Sequence, residues 1–182
     1  MKLQCITFLC SFFVCARVCS MPTNCHLRWK LVKSAHNLLK NMGGLFPREC
    51  LDENVEIKFP KSGLQSKGLN QKISVAKTVF KMMEHIDTLF ANDTLPESWD
   101  QQKADNFQNI VYRLTEENRC ILDKRHGHVD DFSARDSALK TYFEKLATLL
   151  RNKDNSLCAW EVIRKELLRV LSFVLRINSS KV

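Results

Sequence analysis

Apolar residues recur with helical spacing in five segments of this 182-residue chain, and one connection between those segments is far longer than the rest. Cys25–Met42 carries Leu27, Leu31, Val32, Ala35, Leu38, Leu39 and Met42 on one stripe. Gly43-Gly44 then stops the helix, because glycine readily takes the left-handed conformation that closes a helix C-terminus. Up to Asn70 no period is sustained, and Pro47, Pro60, Gly63 and Gly68 interrupt the chain. This connection of roughly 26 residues far exceeds the usual 2–8 between packed helices. Ile73, Ala76, Val79, Phe80, Met83, Ile86, Leu89 and Phe90 define a second helix over Gln71–Ala91. After the break at Asn92–Pro96, Glu97–Arg119 turns Trp99, Phe107, Ile110, Val111 and Leu114 inward. The polar run Lys124–Asp131 precedes a fourth helix, Ser133–Asn152, with Ser133 as its N-cap and Leu139, Tyr142, Phe143, Leu146, Leu149 and Leu150 inward. The fifth, Cys158–Ile177, buries Trp160, Ile163, Leu167, Val170, Leu171 and Val174.

No sustained strand alternation appears. Val55-Glu56-Ile57-Lys58-Phe59 alternates for only five residues inside the long connection. Five glycines and four prolines among 182 residues also argue against a turn-rich β fold. Short breaks force antiparallel neighbours, whereas about 26 residues at roughly 3.3 Å each can cross the whole bundle, so the first two helices can run parallel. The expected fold is all-α: an up-up-down-down bundle of five helices with a long first overhand loop, the arrangement of helical cytokines.

Eight cysteines divide into two sets. Cys5, Cys10, Cys15 and Cys19 lie in a segment built like a signal peptide: Lys2, the apolar run Leu3–Val14, then the small residues Ala16 and Ser20. Arg17 interrupts it well short of the about 20 apolar residues that span a bilayer. Cleavage between Ser20 and Asn24 would separate a signal peptide (1–22) from a mature domain (23–182), secreted and extracellular, without membrane insertion. Subtracting Lys2 and Arg17 from a formal charge of +8 leaves +6. Cys25, Cys50, Cys120 and Cys158 remain, an even number in an oxidising compartment, and two disulfides are expected. No C-x-x-C pair exists, and His126-Gly127-His128 has no third ligand nearby, so no metal and no cofactor is expected.

Enzyme signatures are missing. Neither G-x-x-x-x-G-K-S/T, G-x-G-x-x-G, H-E-x-x-H nor G-x-S-x-G occurs, and the adjacent acids Glu116-Glu117 and Asp130-Asp131 do not face one another on a helix. The basic residues are interleaved with acids along every helix, which argues against nucleic-acid binding. Sequons at Asn92-Asp93-Thr94 and Asn178-Ser179-Ser180 offer glycosylation sites at Asn92 and Asn178.

Residues 158–164 read C-A-W-E-V-I-R. This opening of the last helix resembles the type I interferon signature. Tyr142-Phe143 before it agrees, as do Phe59-Pro60 nine residues after Cys50 and Trp99-Asp100 ahead of Phe107, Leu114 and Cys120. The resemblance covers essentially the whole mature chain and is nearest to teleost interferons of the four-cysteine group. It implies the pairings Cys25–Cys120 and Cys50–Cys158. It also implies a secreted antiviral cytokine, acting as a monomer on a heterodimeric class II cytokine receptor and signalling through JAK–STAT to antiviral genes. One receptor chain would meet the first helix, the long loop and the last helix; the other would meet the second, third and fourth helices. Carried onto this sequence, the receptor-binding residues are Leu51 in the loop, Lys140 in the fourth helix, and Arg164, Lys165, Leu168 and Arg169 in the last. On a helical wheel Glu161, Lys165, Arg169, Ser172 and Arg176 form a polar face with Leu168 at its edge. Where mammalian interferon-α carries an arginine three positions past the loop leucine, this chain has Asn54. Two other readings fit parts of the sequence: another class II helical cytokine, or a cationic helical host-defence protein acting directly on membranes.

Overall fold

The computed structural model describes residues 26–64, 71–91, 95–122 and 132–179. Within them lie five α-helices: α1 (Trp29–Met42), α2 (Gln71–Phe90), α3 (Gln101–Glu116), α4 (Phe132–Asn152) and α5 (Leu157–Ser179). Short 3₁₀ turns occupy Arg48–Glu53, Lys61–Leu64 and Arg119–Ile121. The Val55–Phe59 alternation makes no strand. Residues 1–25, including the expected signal peptide and Cys25, lie outside the described residues, as do Asn92 and the His126/His128 pair.

Four helix starts differ from those the periodicity predicts, α5 by one residue at Leu157, and for α3 the local chemistry is plain. α3 opens at Gln101 rather than near Glu97, because the Asp100 carboxylate accepts from the Lys103 backbone N–H at 3.0 Å and caps the helix there. Trp99 is left just outside the helix and buried. α4 begins at Phe132, which puts Ser133 inside the first turn rather than at the cap. α1 begins at Trp29, with Arg28 at the N-cap position. Its C-terminus falls where the glycines predicted it, and Gly44 takes the left-handed conformation with φ +67°.

Side-chain pairings set the helix directions. The Asp100 N–H donates to the Met42 carbonyl at 2.8 Å and Arg28 pairs with Glu117 at 2.7 Å, so the end of α1 meets the start of α3, and the start of α1 meets its end. The two are antiparallel. Phe90 packs on Phe107 and its carbonyl accepts from Gln108 Nε2 at 3.0 Å, while α2 also packs on the Arg119–Ile121 turn past the end of α3, which makes α2 antiparallel to α3 and parallel to α1. Ser74–Arg135 and His85–Phe143 show α4 parallel to α2. Lys40 meets Arg164 and His36 meets Ser172, so α5 runs against α1. Helices α1, α2, α3 and α5 thus run up-up-down-down, with α4 laid antiparallel before α5.

α5 lies at the centre. All six residues of its expected stripe are buried, and so are Ala159, Val162 and Phe173 outside it. Trp160 is fully enclosed, its ring 5.2 Å from Phe90 and 5.8 Å from Trp99. Complete burial of a large apolar side chain contributes about 1.5–3 kcal/mol, so a helix buried on most of its circumference is a principal source of stability.

Candidate functional site

The long connection does not float above the bundle. Cys50 is buried and bonded to Cys158 at the start of α5, with 5.1 Å between the Cα atoms. Farther on, Phe59 inserts its ring between Tyr142 of α4 (5.1 Å) and Phe173 of α5 (5.3 Å), both edge-on, and Leu64 is buried behind it. Residues 51–58 are therefore stretched between two anchors and laid along α5. Leu51 stands 58% exposed and Val55 44% exposed, unusual for apolar side chains in so well anchored a segment.

Polar contacts fasten the stretch from the helix side. The Lys165 ammonium donates to Asn54 Oδ1 and, at 2.9 Å, to the Val55 carbonyl. Arg169 donates to Glu56 at 3.2 Å, and Lys153 pairs with Glu53 at 3.3 Å. Below these contacts a groove of about 680 Å³ opens between residues 56–61 and α5, lined by Ile57, Phe59, Leu168 and Arg169 among others. Leu168 is half-buried and packs against the core while forming part of that lining.

Leu51, Lys165, Leu168 and Arg169 accordingly belong to one surface, built from the long loop and α5. Lys140 does not join them: it projects from α4 with 69% side-chain exposure, 3.9 Å from Glu144. Asn54 is the loop's departure from the mammalian pattern. The structure places a cation there all the same, delivered from α5 by Lys165.

Arg164 requires a correction. Its side chain is only 5% exposed, so it is no part of the presented surface. The guanidinium donates to the Lys40 carbonyl in the last turn of α1 at 3.4 Å and to the Gly44 carbonyl just past its end at 2.9 Å. Its charge is met by Glu161 at 2.6 Å, and Glu161 also accepts from Trp99 Nε1 at 2.6 Å. Glu161, placed on the polar face by the wheel, is therefore buried as well. The wheel fails here because α5 is covered on that side by the end of α1 and by Trp99, which periodicity within α5 cannot reveal.

Sequence reading passed over Glu166. Its carboxylate is fully buried, accepts from Arg169 at 3.1 Å and lies 3.4 Å from the Lys165 ammonium. The Tyr142 hydroxyl sits 3.5 Å from its other oxygen. Burial, reinforced by the negative charge of Glu166, pushes the Tyr142 hydroxyl far above its ordinary range and keeps it a donor. The only sequence signal was an acid flanked by cations one residue before and three after. Exposed Leu45 and Tyr112 were also missed; neither breaks a helical stripe, so pattern could not single them out.

Asn178 is half-buried near the end of α5. Among the described residues, no group of three His, Cys, Asp or Glu side chains is placed to hold a metal ion, and no helix is long and apolar enough to cross a membrane.

A family model described as "Interferon alpha/beta domain" matches residues 26–181. Interferon alpha-7 of Homo sapiens is 27% identical over 163 residues, 88% of this chain and 84% of that protein. Interferon beta of Tachyglossus aculeatus aculeatus is 28% identical over 148 residues, 80% of this chain and 78% of that protein. The solved structure of zebrafish interferon 2 superposes with a TM-score of 0.79 at 66% identity, covering 83% of this chain and 99% of that one. Zebrafish interferon 1 shares the fold, with a TM-score of 0.63 at 23% identity over 82% of this chain and 95% of that one.

Proposed function

The chain belongs to the interferon alpha/beta family, a family of cytokines, and from that premise we propose that it is secreted, binds a two-chain class II cytokine receptor as a monomer, and induces antiviral genes through JAK–STAT signalling. The observation that carries the reading is the surface at Leu51: an exposed leucine on a loop fixed by the Cys50–Cys158 bond, with the following residues 54–56 held by Lys165 and Arg169 of α5. An apolar anchor with a charged rim, held rigid before contact, is what a protein interface needs. Leu51, Lys165, Leu168 and Arg169 form the contact with one receptor chain; Lys140 on α4 contributes to the contact with the other. Arg164 acts only from beneath, by holding α1 to α5.

The same reading includes removal of residues 1–22, glycans at Asn92 and Asn178, and a Cys25–Cys120 bridge beside the observed one. Intact-mass and peptide mapping of secreted protein would test all three together.

A direct membrane-lytic role fits less well, because α5, which carries much of the apolar surface, has that surface packed inside the bundle. Binding to purified receptor ectodomains separates the readings. Saturable binding to one chain, weakened by Leu168→Ala plus Arg169→Ala at unchanged helical circular dichroism, is the expected result. No binding to any class II chain, together with dye release from anionic vesicles, would favour the membrane reading.

A further inference from the structure

A carboxylate taken wholly out of water is costly unless charges and hydrogen bonds meet it, and an apolar residue of similar volume generally serves stability as well or better. Glu166 is such a carboxylate, and its position on α5 is peculiar: it contacts the residue before it and the residue three after it, both cations and both continuing to the loop. From Glu166, Lys165 goes on to Asn54 and the Val55 carbonyl (2.9 Å), and Arg169 goes on to Glu56 (3.2 Å). Each long side chain is thus held at its charged end from two sides, one buried and one on the loop. Left alone, either would sample many rotamers, and a partner would have to order it on binding.

We propose that Glu166 is the positioning residue of the binding surface. It fixes Lys165 and Arg169 from beneath, and through them the course of residues 54–56, so that Leu51 and the two cations are presented in one arrangement before a partner arrives. This rests on the receptor reading of that surface given above. Glu166 itself touches no partner. Its effect on binding passes through the two cations, and its effect on the loop exists without any receptor.

A mutant cycle of Glu166→Gln with Arg169→Ala tests the first effect, with helical circular dichroism as the fold control. Glu166→Gln should raise the Kd for the receptor chain about tenfold in the native background and less than about threefold in the Arg169→Ala background. Equal losses in both backgrounds would overturn the positioning role. If Arg169→Ala and Lys165→Ala each bind like the native protein, the receptor reading of this surface fails instead, and the loop measurement decides the positioning role alone. The Asn54 and Val55 amides are hydrogen-bonded to Leu51 and Glu53 within the loop. Glu166→Gln should accelerate their hydrogen exchange about tenfold while exchange in α2 is unchanged; unchanged exchange at those two amides would overturn the proposal. Should Glu166→Gln fail to fold, Glu56→Gln, which alters an exposed carboxylate at the far end of the same chain of contacts, should accelerate the same amides, and no change would again overturn it.

Discussion

The Arg164 guanidinium and the Glu161 carboxylate lie 2.6 Å apart inside the bundle, with side chains 5% and 1% exposed. Around this pair three elements converge: the end of α1, Trp99 at the entrance to α3, and the first turns of α5. A surface ion pair contributes little, but removing one member of a buried pair strands the other.

Arg164→Ala should therefore cost about 3–5 kcal/mol of stability, through the stranded Glu161 carboxylate and the lost bonds to the Lys40 and Gly44 carbonyls. Urea unfolding followed by tryptophan fluorescence reads this directly. Any loss of signalling should track the fraction unfolded, and folded Arg164→Ala protein should bind its receptor normally.

The same pair explains why glycine is needed at position 43. A Cβ there would stand 2.6 Å from Arg164 Nε and 2.9 Å from Glu161 Oε1. Gly43→Ala should destabilise by about 1–3 kcal/mol, since the guanidinium is pinned and cannot swing aside. With Arg164→Ala already in place, most of that cost should vanish in the same urea titrations. Additive losses would mean that the clash lies elsewhere.

The Cys50–Cys158 bond closes a sequence separation of 108 residues. On the chain-entropy view its loss costs about 4–5 kcal/mol, offset by whatever strain is relieved. Cys50→Ala with Cys158→Ala should lower the thermal midpoint and leave the loop held through Phe59, Leu64, the Lys153–Glu53 pair and the α5 cations. Limited proteolysis should then cut first within residues 48–57.

His85 gives a pH dependence. It stacks on Phe143 at 4.9 Å between α2 and α4, and burial lowers its pKa below 6.5, opposed by Asp136 and Glu144 of α4 and by Glu84, and aided by Lys81. A histidine that is harder to protonate when folded lets the unfolded chain bind the proton first. Its contribution is complete above about pH 6.5 and is lost as pH falls from there through the folded-state value. Urea midpoints at about pH 7.5 and pH 5.5 should differ more for the native protein than for His85→Phe, which keeps a ring on Phe143 but does not titrate.

Helices were legible because each buries one stripe, and a stripe repeats in sequence. The first helix ended where Gly43-Gly44 said it would, and Trp160 proved to be core as its place among Ile163 and Leu167 required. Side-chain caps were less legible: Asp100 decides where α3 begins, and that depends on one carboxylate choosing the Lys103 amide. The Leu51 surface proposed for binding was legible only through resemblance, since no local pattern marks Leu51 as exposed. Arg164 and Glu161 were misplaced for a definite reason. Charged residues are read as solvent-facing unless a partner is known, and their partners, Gly44 and Trp99, sit in other elements. Glu166 differs: its two cations lie on its own helix, and only the packing of other elements over it, Tyr142 among them, buries it.

On the function proposed above, the Leu51 surface engages a class II cytokine receptor. That engagement is tested most directly by reporter induction in matched cells that express or lack defined receptor-chain pairs, with native protein and Leu51→Ala compared across concentration. Induction is expected only where a competent pair is present, with a half-maximal concentration about tenfold or more higher for Leu51→Ala at unchanged helical circular dichroism. Equal induction in receptor-lacking cells, or coincident curves for the two proteins, would contradict it.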